Sequence, residues 1–271
     1  MPTYIDDGDL TGFSELITSV SGKEVDVFIA SNGGSPETTE RIVRLLRQRF
    51  SKVRFIIPGN AYSAATLLSF SGDEIIMGEH GTLGPIDPQI NGVPARAILR
   101  AFERIEERLK EEGPRALTAY VPLLAKYDLH TLEICRSAQE LSRELAVNFL
   151  SKNLLKIPKD DPRIEQIVDF FSDYDIHKSH GRSIDRDQAR KVGIDKVSNV
   201  EDEKGLADLV RSLYNQYELM FDKTPFYKLF ENAYGISWGR QTQMVTIQLP
   251  VTVPPGGPFP IPQPGPPKST E

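Results

Sequence analysis

Three short apolar runs, Val25-Asp26-Val27-Phe28-Ile29-Ala30, Val53-Arg54-Phe55-Ile56-Ile57 and Glu74-Ile75-Ile76-Met77, alternate with two helical stretches. That alternation narrows the choice of fold more than any other feature of the chain. In stretch 37–50, Ile42, Leu45, Leu46 and Phe50 share one helical face, while Arg41, Arg44 and Arg47 are expected to turn mostly outward. Stretch 61–70 reads as a helix of small residues. Strand, helix and strand at this spacing imply right-handed crossovers and a parallel sheet, whose chemistry gathers in the loops at the strand C-terminal ends. Those loops are 31–36, 58–63 and 78–90.

The downstream half reads as mainly helical. Ile98, Phe102, Ile105 and Leu109 recur at helical spacing, as do Leu141, Leu145 and Phe149, and later Leu206, Leu209, Val210, Leu213 and Tyr217. A polar loop at Lys178-Ser179-His180-Gly181-Arg182 leads into a short helix over 185–192, with Gly193 placed to close it. Nine prolines fall within residues 250–269, too few apolar side chains accompany them to offset the entropy of ordering, and a disordered tail is expected over 249–271. The remaining residues, 1–248, form the expected domain.

Composition excludes several functions. With 271 residues and a formal charge of −6, and with no run of Lys or Arg longer than two, the chain lacks a nucleic-acid footprint. One cysteine, Cys135, cannot form an internal disulfide, and no Cys or His grouping has the spacing of a metal site; no cofactor is expected. No window approaches the ~18 apolar residues of a membrane span, so a cytoplasmic location is the expectation. There is no Walker A glycine loop, so any ATP-driven unfolding must come from another chain.

Ser63 stands where a strand has just ended and a helix begins, in Pro58-Gly59-Asn60-Ala61-Tyr62-Ser63-Ala64-Ala65-Thr66. Helix N-terminal amides are unpaired and the dipole there is positive, which stabilises both a seryl oxygen and a developing oxyanion. Position alone leaves two readings, a helix cap or a nucleophile. Ala61 and Ala65 occupy the glycine positions of a Gly-x-Ser-x-Gly elbow, which argues against an α/β-hydrolase. After the first strand, Asn32-Gly33-Gly34-Ser35 lets the backbone approach a ligand without side-chain obstruction. One amide from Gly34 and one from Ala64 would make a two-donor oxyanion hole, with Gly33 in support.

The segments Asn32-Gly33-Gly34-Ser35, Tyr62-Ser63-Ala64-Ala65-Thr66, Glu74-Ile75-Ile76-Met77-Gly78 and Leu83-Gly84-Pro85-Ile86-Asp87-Pro88-Gln89 together resemble the serine dehydrogenase proteinase family. That family is similar to signal peptide peptidase A and to the Clp protease proteolytic subunit, within the Clp/crotonase superfold. The resemblance runs on through His177-Lys178-Ser179-His180-Gly181-Arg182-Ser183-Ile184 and ends near Leu229-Phe230-Glu231-Asn232. It implies stacked βαβ units with a helical C-terminal half, a serine peptidase acting on a peptide or protein, and assembly into a homo-oligomer. The superfold's first strand has no counterpart before Ile5-Asp6-Asp7, so either the start is truncated or another segment supplies the edge.

The base that activates Ser63 stays open at this point. The place of the Clp protease histidine is taken by Pro85-Ile86-Asp87-Pro88. Signal peptide peptidase A uses a lysine, and that resemblance makes Lys178 the preferred base, with His180 as the competitor. Asp87 reads either as orienting the base or as a cap, and His80, on a glycine-flanked loop, reads as a solvated side chain. Two other functions are carried alongside. One is crotonase-like chemistry on an acyl-CoA thioester with Glu79 or Asp87 as base; the other is a non-catalytic scaffold offering its proline tail to a partner.

Overall fold

A computed structural model describes residues 4–113, 117–124 and 129–242. The expected proline-rich tail lies outside the described residues. The core is a four-stranded parallel sheet in the order β1 (Glu24–Phe28), β2 (Lys52–Ile57), β4 (Glu74–Met77), β8 (Val197–Asn199). Between these strands run α2 (Pro36–Arg49), the two-residue strand β3 (Asn60–Ala61) and α3 (Ala64–Phe70). The register pairs Val27 with Phe55 and Phe55 with Ile75, so the three apolar runs seen in the sequence lie side by side.

Alternation along the strands sends side chains to two covered faces. Phe55, Ile57, Ile75 and Met77 enter the main core with Ile42, Leu46 and the wholly buried α3. Ile56 and Ile76 point the other way, onto Val200 and Val210 of the segment containing α10 (Leu206–Lys223). Leu209, although in phase with that helix's apolar residues, stands 69 % exposed. The α2 helix begins as its sequence dictates: Ser35 accepts the Thr38 amide at 3.0 Å, Pro36 occupies the first turn, and basic residues close the last. Arg47 departs from expectation and turns inward, its guanidinium 2.7 Å from Asp73 and bonded to the Ser71 carbonyl, which closes the end of α3 against α2.

After β4 the chain forms β5 (Thr82–Leu83) and a small hairpin, β6 (Gln89–Ile90) and β7 (Val93–Pro94), before α4 (Ala95–Glu112), α5 (Leu117–Leu124) and α6 (Leu129–Phe149). Only the first half of α4 is well buried, where Ala95, Ile98 and Leu99 meet Leu132 and Cys135 of α6. The far end of α6 packs on α2, α3 and α7 (Pro162–Ser172), continuing through a π-helical turn at Leu150–Leu154. The polar loop lies after α8 (Tyr174–His177), and α9 (Arg186–Lys191) follows with Asp185 and Gln188 forming a reciprocal cap.

The fourth strand β8, helix α7 and two elements at the ends of the described chain escape the sequence reading. Helix α1 (Asp9–Ser19) precedes the first strand, and the antiparallel hairpin β9 (Phe226–Glu231) and β10 (Ser237–Gln241) docks on it. Gly12 of α1 is packed so tightly that a Cβ there would lie 2.4 Å from the Trp238 ring. Just before α1, Ile5 forms a parallel bridge with Gly34, so residues 4–8 run beside the glycine loop.

Candidate active site

Ser63 occupies the sharp turn between β3 and α3 with φ +53° and ψ −118°. A residue bearing a Cβ rarely adopts this conformation, which costs ~1–3 kcal/mol and persists only where surrounding structure enforces it. Enforcement comes from both sides. Ser31 donates its amide to the Asn60 carbonyl at 2.8 Å and accepts the Tyr62 amide at 3.0 Å, while Leu67 donates to the Ser63 carbonyl at 3.1 Å. The Ser63 side chain makes no capping hydrogen bond, which removes the helix-cap reading. The residue itself stands at the N-terminal, positive end of α3.

The glycine loop lies directly on this turn. A Cβ on Gly33 would stand 2.6 Å from the Tyr62 carbonyl oxygen, 2.8 Å from Ser63 Cβ and 3.0 Å from the Ala64 nitrogen, and φ at Gly33 is +96°. Only glycine meets both demands. The Gly33 amide donates to Ser31 Oγ at 3.2 Å and its carbonyl accepts the Ile5 amide at 2.6 Å. Ser35 donates to the Ile5 carbonyl at 2.9 Å, so Ile5 takes up the groups on either side of Gly34 and leaves the Gly34 amide on the opposite edge. Among the described residues neither the Gly34 amide nor the Ala64 amide has a hydrogen-bond partner. Two amides without a partner among the described residues therefore lie on the glycine loop and at the first residue of α3.

His180 and Asp87 come together. His180 Nδ1 is 2.8 Å from Asp87 Oδ1, Asp87 is 1 % exposed, and its Oδ2 accepts from Gln89 Nε2 at 3.0 Å. A carboxylate on Nδ1 favours the tautomer protonated there and leaves Nε2, which has no partner among the described residues, as the acceptor nitrogen. The Asp87 segment is anchored by the Ile86 amide on the Phe171 carbonyl at 2.8 Å and by Ser142 Oγ on the Ile86 carbonyl at 2.7 Å.

Three links fasten this pair to the serine turn. Thr66, on α3, accepts the Gly84 amide at 3.0 Å, and its hydroxyl lies 2.7 Å from the Ala61 carbonyl and 2.9 Å from that of Gly84. Leu83 and Ile184 exchange two backbone hydrogen bonds of 2.9 Å, which sets the loop carrying His180 beside the strand leading to Asp87. Tyr62, the neighbour of Ser63, bonds through its hydroxyl to Ser183 Oγ at 2.9 Å and receives Thr82 Oγ1 at 3.3 Å. Its ring also lies on Gly84, where a Cβ would meet Cδ1 at 2.7 Å.

The other candidates sit differently. Lys178 is an exposed residue at φ +60° that ends α8, and its ammonium has no partner among the described residues. An amine acting as base needs burial, and Lys178 lacks it. His177 is buried with Nε2 2.6 Å from the Phe170 carbonyl and its ring edge-on to Phe170, a packing role. His80 lies exposed on a turn. Among the described residues no group of three or more Cys, His, Asp or Glu is arranged to hold a metal ion. Sequence reasoning left Asp87 between two roles and did not find Tyr62, Thr66 and Ser183 as connectors; the downstream polar motif was the one signal that pointed toward His180.

Residues 13–116 match the family model of ClpP-like SDH-type serine proteinases. Two uncharacterized proteins of Methanocaldococcus jannaschii are similar to the chain. One is 38 % identical over 88 residues, covering 32 % of this chain and 30 % of the relative; the other is 28 % identical over 181 residues, covering 67 % and 56 %. The chain thus spans between about a third and about half the length of these curated relatives. Among solved structures, the 1510-N membrane-bound stomatin-specific protease, in mutant form, superposes with a TM-score of 0.43 at 15 % identity over 72 % of this chain and 74 % of that one. A mutant ClpP1 from Listeria monocytogenes gives 0.40 at 15 % identity over 75 % and 90 %. The resemblance to serine dehydrogenase proteinases read from the motifs is found again in the family match.

Proposed function

We propose that the chain is a serine peptidase in which Ser63 is the nucleophile, His180 the general base, and Asp87 the residue that orients and stabilises the imidazole. The observation that carries this reading is the 2.8 Å hydrogen bond from His180 to a buried Asp87, in two segments fastened to the strained Ser63 turn. The match of residues 13–116 to ClpP-like serine proteinases supports it. In the reaction, Ser63 Oγ attacks the peptide carbonyl carbon and passes its proton to His180 Nε2. The carbonyl oxygen becomes an oxyanion held by the Gly34 and Ala64 amides. Collapse breaks the C–N bond, and His180 returns the proton to the departing amine. Water, deprotonated by His180, then repeats the attack on the acyl ester and restores the Ser63 hydroxyl.

His180 takes precedence over Lys178 in this reading because it has the buried carboxylate partner and Lys178 is exposed. No helix among the described residues is long and apolar enough to cross a membrane. Assembly into a homo-oligomer is carried into the proposal from the family resemblance, and sedimentation of the purified protein reads it.

A fluorophosphonate probe followed by intact mass measurement tests the reading. Wild type is expected to gain one adduct that Ser63→Ala does not, and His180→Ala is expected to abolish it. Retained labelling of His180→Ala with loss in Lys178→Ala would return the role of base to the lysine. No adduct on the wild type would favour the scaffold.

A further inference from the structure

Lys228 lies on β9, far along the chain from every residue placed in the site, yet it is 7 % exposed and bonded entirely to the segment beside the glycine loop. Its ammonium donates to Asp9 Oδ1 at 2.9 Å and Oδ2 at 3.0 Å, to Asp6 Oδ2 at 3.2 Å, and to the Tyr4 carbonyl. Asp9 is fully buried, and its Oδ2 also accepts the Asp6 amide at 2.9 Å. From the second strand of the hairpin, Arg240 clasps both oxygens of Asp6 at 2.8 Å and reaches Asp9 at 3.4 Å. A buried ammonium has three protons to place, and here all of them go to residues 4, 6 and 9.

Ile5 sits between those fixed points. It is the residue whose amide and carbonyl hold Gly33 and Ser35, and it approaches Gly34 so closely that a Cβ there would lie 2.2 Å from the Ile5 oxygen. A change in the path of residues 4–6 therefore moves the Gly34 peptide. An oxyanion donor works only within a few tenths of an ångström of its proper place.

We infer that Lys228, with Asp9 as its buried partner, is a positioning residue for the Gly34 oxyanion donor, acting through Ile5. The inference rests on the proposed peptidase reading. The hairpin is then part of the catalytic apparatus without touching substrate, and the charged cluster sets the aim of one amide.

The test measures the second-order rate of fluorophosphonate labelling against pH for the full chain, in wild type, Lys228→Met and Tyr234→Phe. The last removes the hairpin's contact with Ser21 and leaves residues 4–9 untouched. Lys228→Met is expected to lower the plateau rate of the folded protein by about tenfold or more, part of the ~10²–10³ that loss of a whole oxyanion donor costs. The midpoint of its pH profile should stay in place, because His180 and Asp87 are unaltered. Tyr234→Phe is expected to lower thermal stability but keep the wild-type plateau. Folded Lys228→Met that labels within about twofold of wild type, or whose midpoint moves with its plateau, overturns the inference. If Lys228→Met does not fold, Asp6→Asn, at a partly exposed member of the cluster, is expected to lower the plateau in the same direction, and an unchanged plateau there overturns it. A wild type that takes up no probe at Ser63 removes the peptidase reading and this inference together; equal labelling of wild type and Lys228→Met removes the inference alone.

Discussion

His180 reaches across 93 residues of sequence to set its Nδ1 2.8 Å from Oδ1 of Asp87, a carboxylate with 1 % exposure. Asp87→Asn keeps the shape of the site but replaces a carboxylate with an amide, so the imidazole loses the partner that fixes its tautomer. Labelling of Ser63 is expected to fall by ~10³–10⁴ while the thermal midpoint changes little, a loss like that seen when the aspartate of a serine-protease triad is neutralised. Labelling at the wild-type rate would mean that the pair is structural.

Tyr62→Phe removes one hydroxyl that joins the serine turn to Ser183 and Thr82. The ring stays against Gly84, so the stability cost should be confined to the hydrogen bonds, ~1 kcal/mol, or ~2–4 °C in thermal midpoint. A larger drop in labelling rate than in stability is expected, since the lost bond holds the His180 loop to the Ser63 turn. Calorimetry and labelling on the same sample separate the two.

Gly33→Ala brings a Cβ to 2.6 Å from the Tyr62 carbonyl at a position with φ +96°. Backbone atoms oppose the methyl and cannot rotate away, so the glycine loop must lift off the serine turn. The variant is expected to lose more than ~1 kcal/mol of stability and nearly all labelling. Gly22→Ala, also at positive φ but with open space around it, should cost stability without changing the labelling rate.

Two aspartates, Asp73 just before β4 and Asp6 just before α1, make acid stability predictable in sign. Burial raises the Asp73 pKa, but hydrogen bonds from Lys156, the Val53 amide and Arg47 outweigh it and hold the carboxyl below the ordinary aspartate range. The Arg240 guanidinium, with help from Lys228 and against partial burial, does the same for Asp6. A depressed folded pKa contributes stability that is fully present above the unfolded value of ~3.9 and is lost as pH falls through the folded value. Urea midpoints should therefore hold steady above about pH 5 and decline below about pH 4. Asp73→Asn should lower the neutral-pH stability by about 2 kcal/mol and flatten that decline.

Much of the parallel sheet was legible because it is written in local pattern: three apolar runs, two amphipathic or small-residue helices, and glycines at the turns. Ser63 and the glycine pair were legible for the same reason, each being defined within a few residues of its own strand end. The base was not. Lys178 and His180 differ by two positions in one polar loop, and the choice between them depends on Asp87, whose approach is set by the Leu83 and Ile184 pairing and by Ser142 on α6. The hairpin was hidden by its own charges. Lys228 and Arg240 occupy inward positions that a strand pattern assigns to apolar residues, and the carboxylates that make burial tolerable stand more than two hundred residues earlier.

The contact between Asp9 and Lys228 spans 219 residues. During synthesis the glycine loop, the serine turn and the Asp87 segment all leave the ribosome long before the lysine that closes the cluster. Loops of this size also close late in refolding, after the local βαβ units have formed. A growing chain thus carries the first three strands of the sheet and the Ser63 turn well before the last brace on its glycine loop. On the proposed peptidase reading, a chain that ends before the hairpin already has its serine turn but leaves the Gly34 donor unbraced.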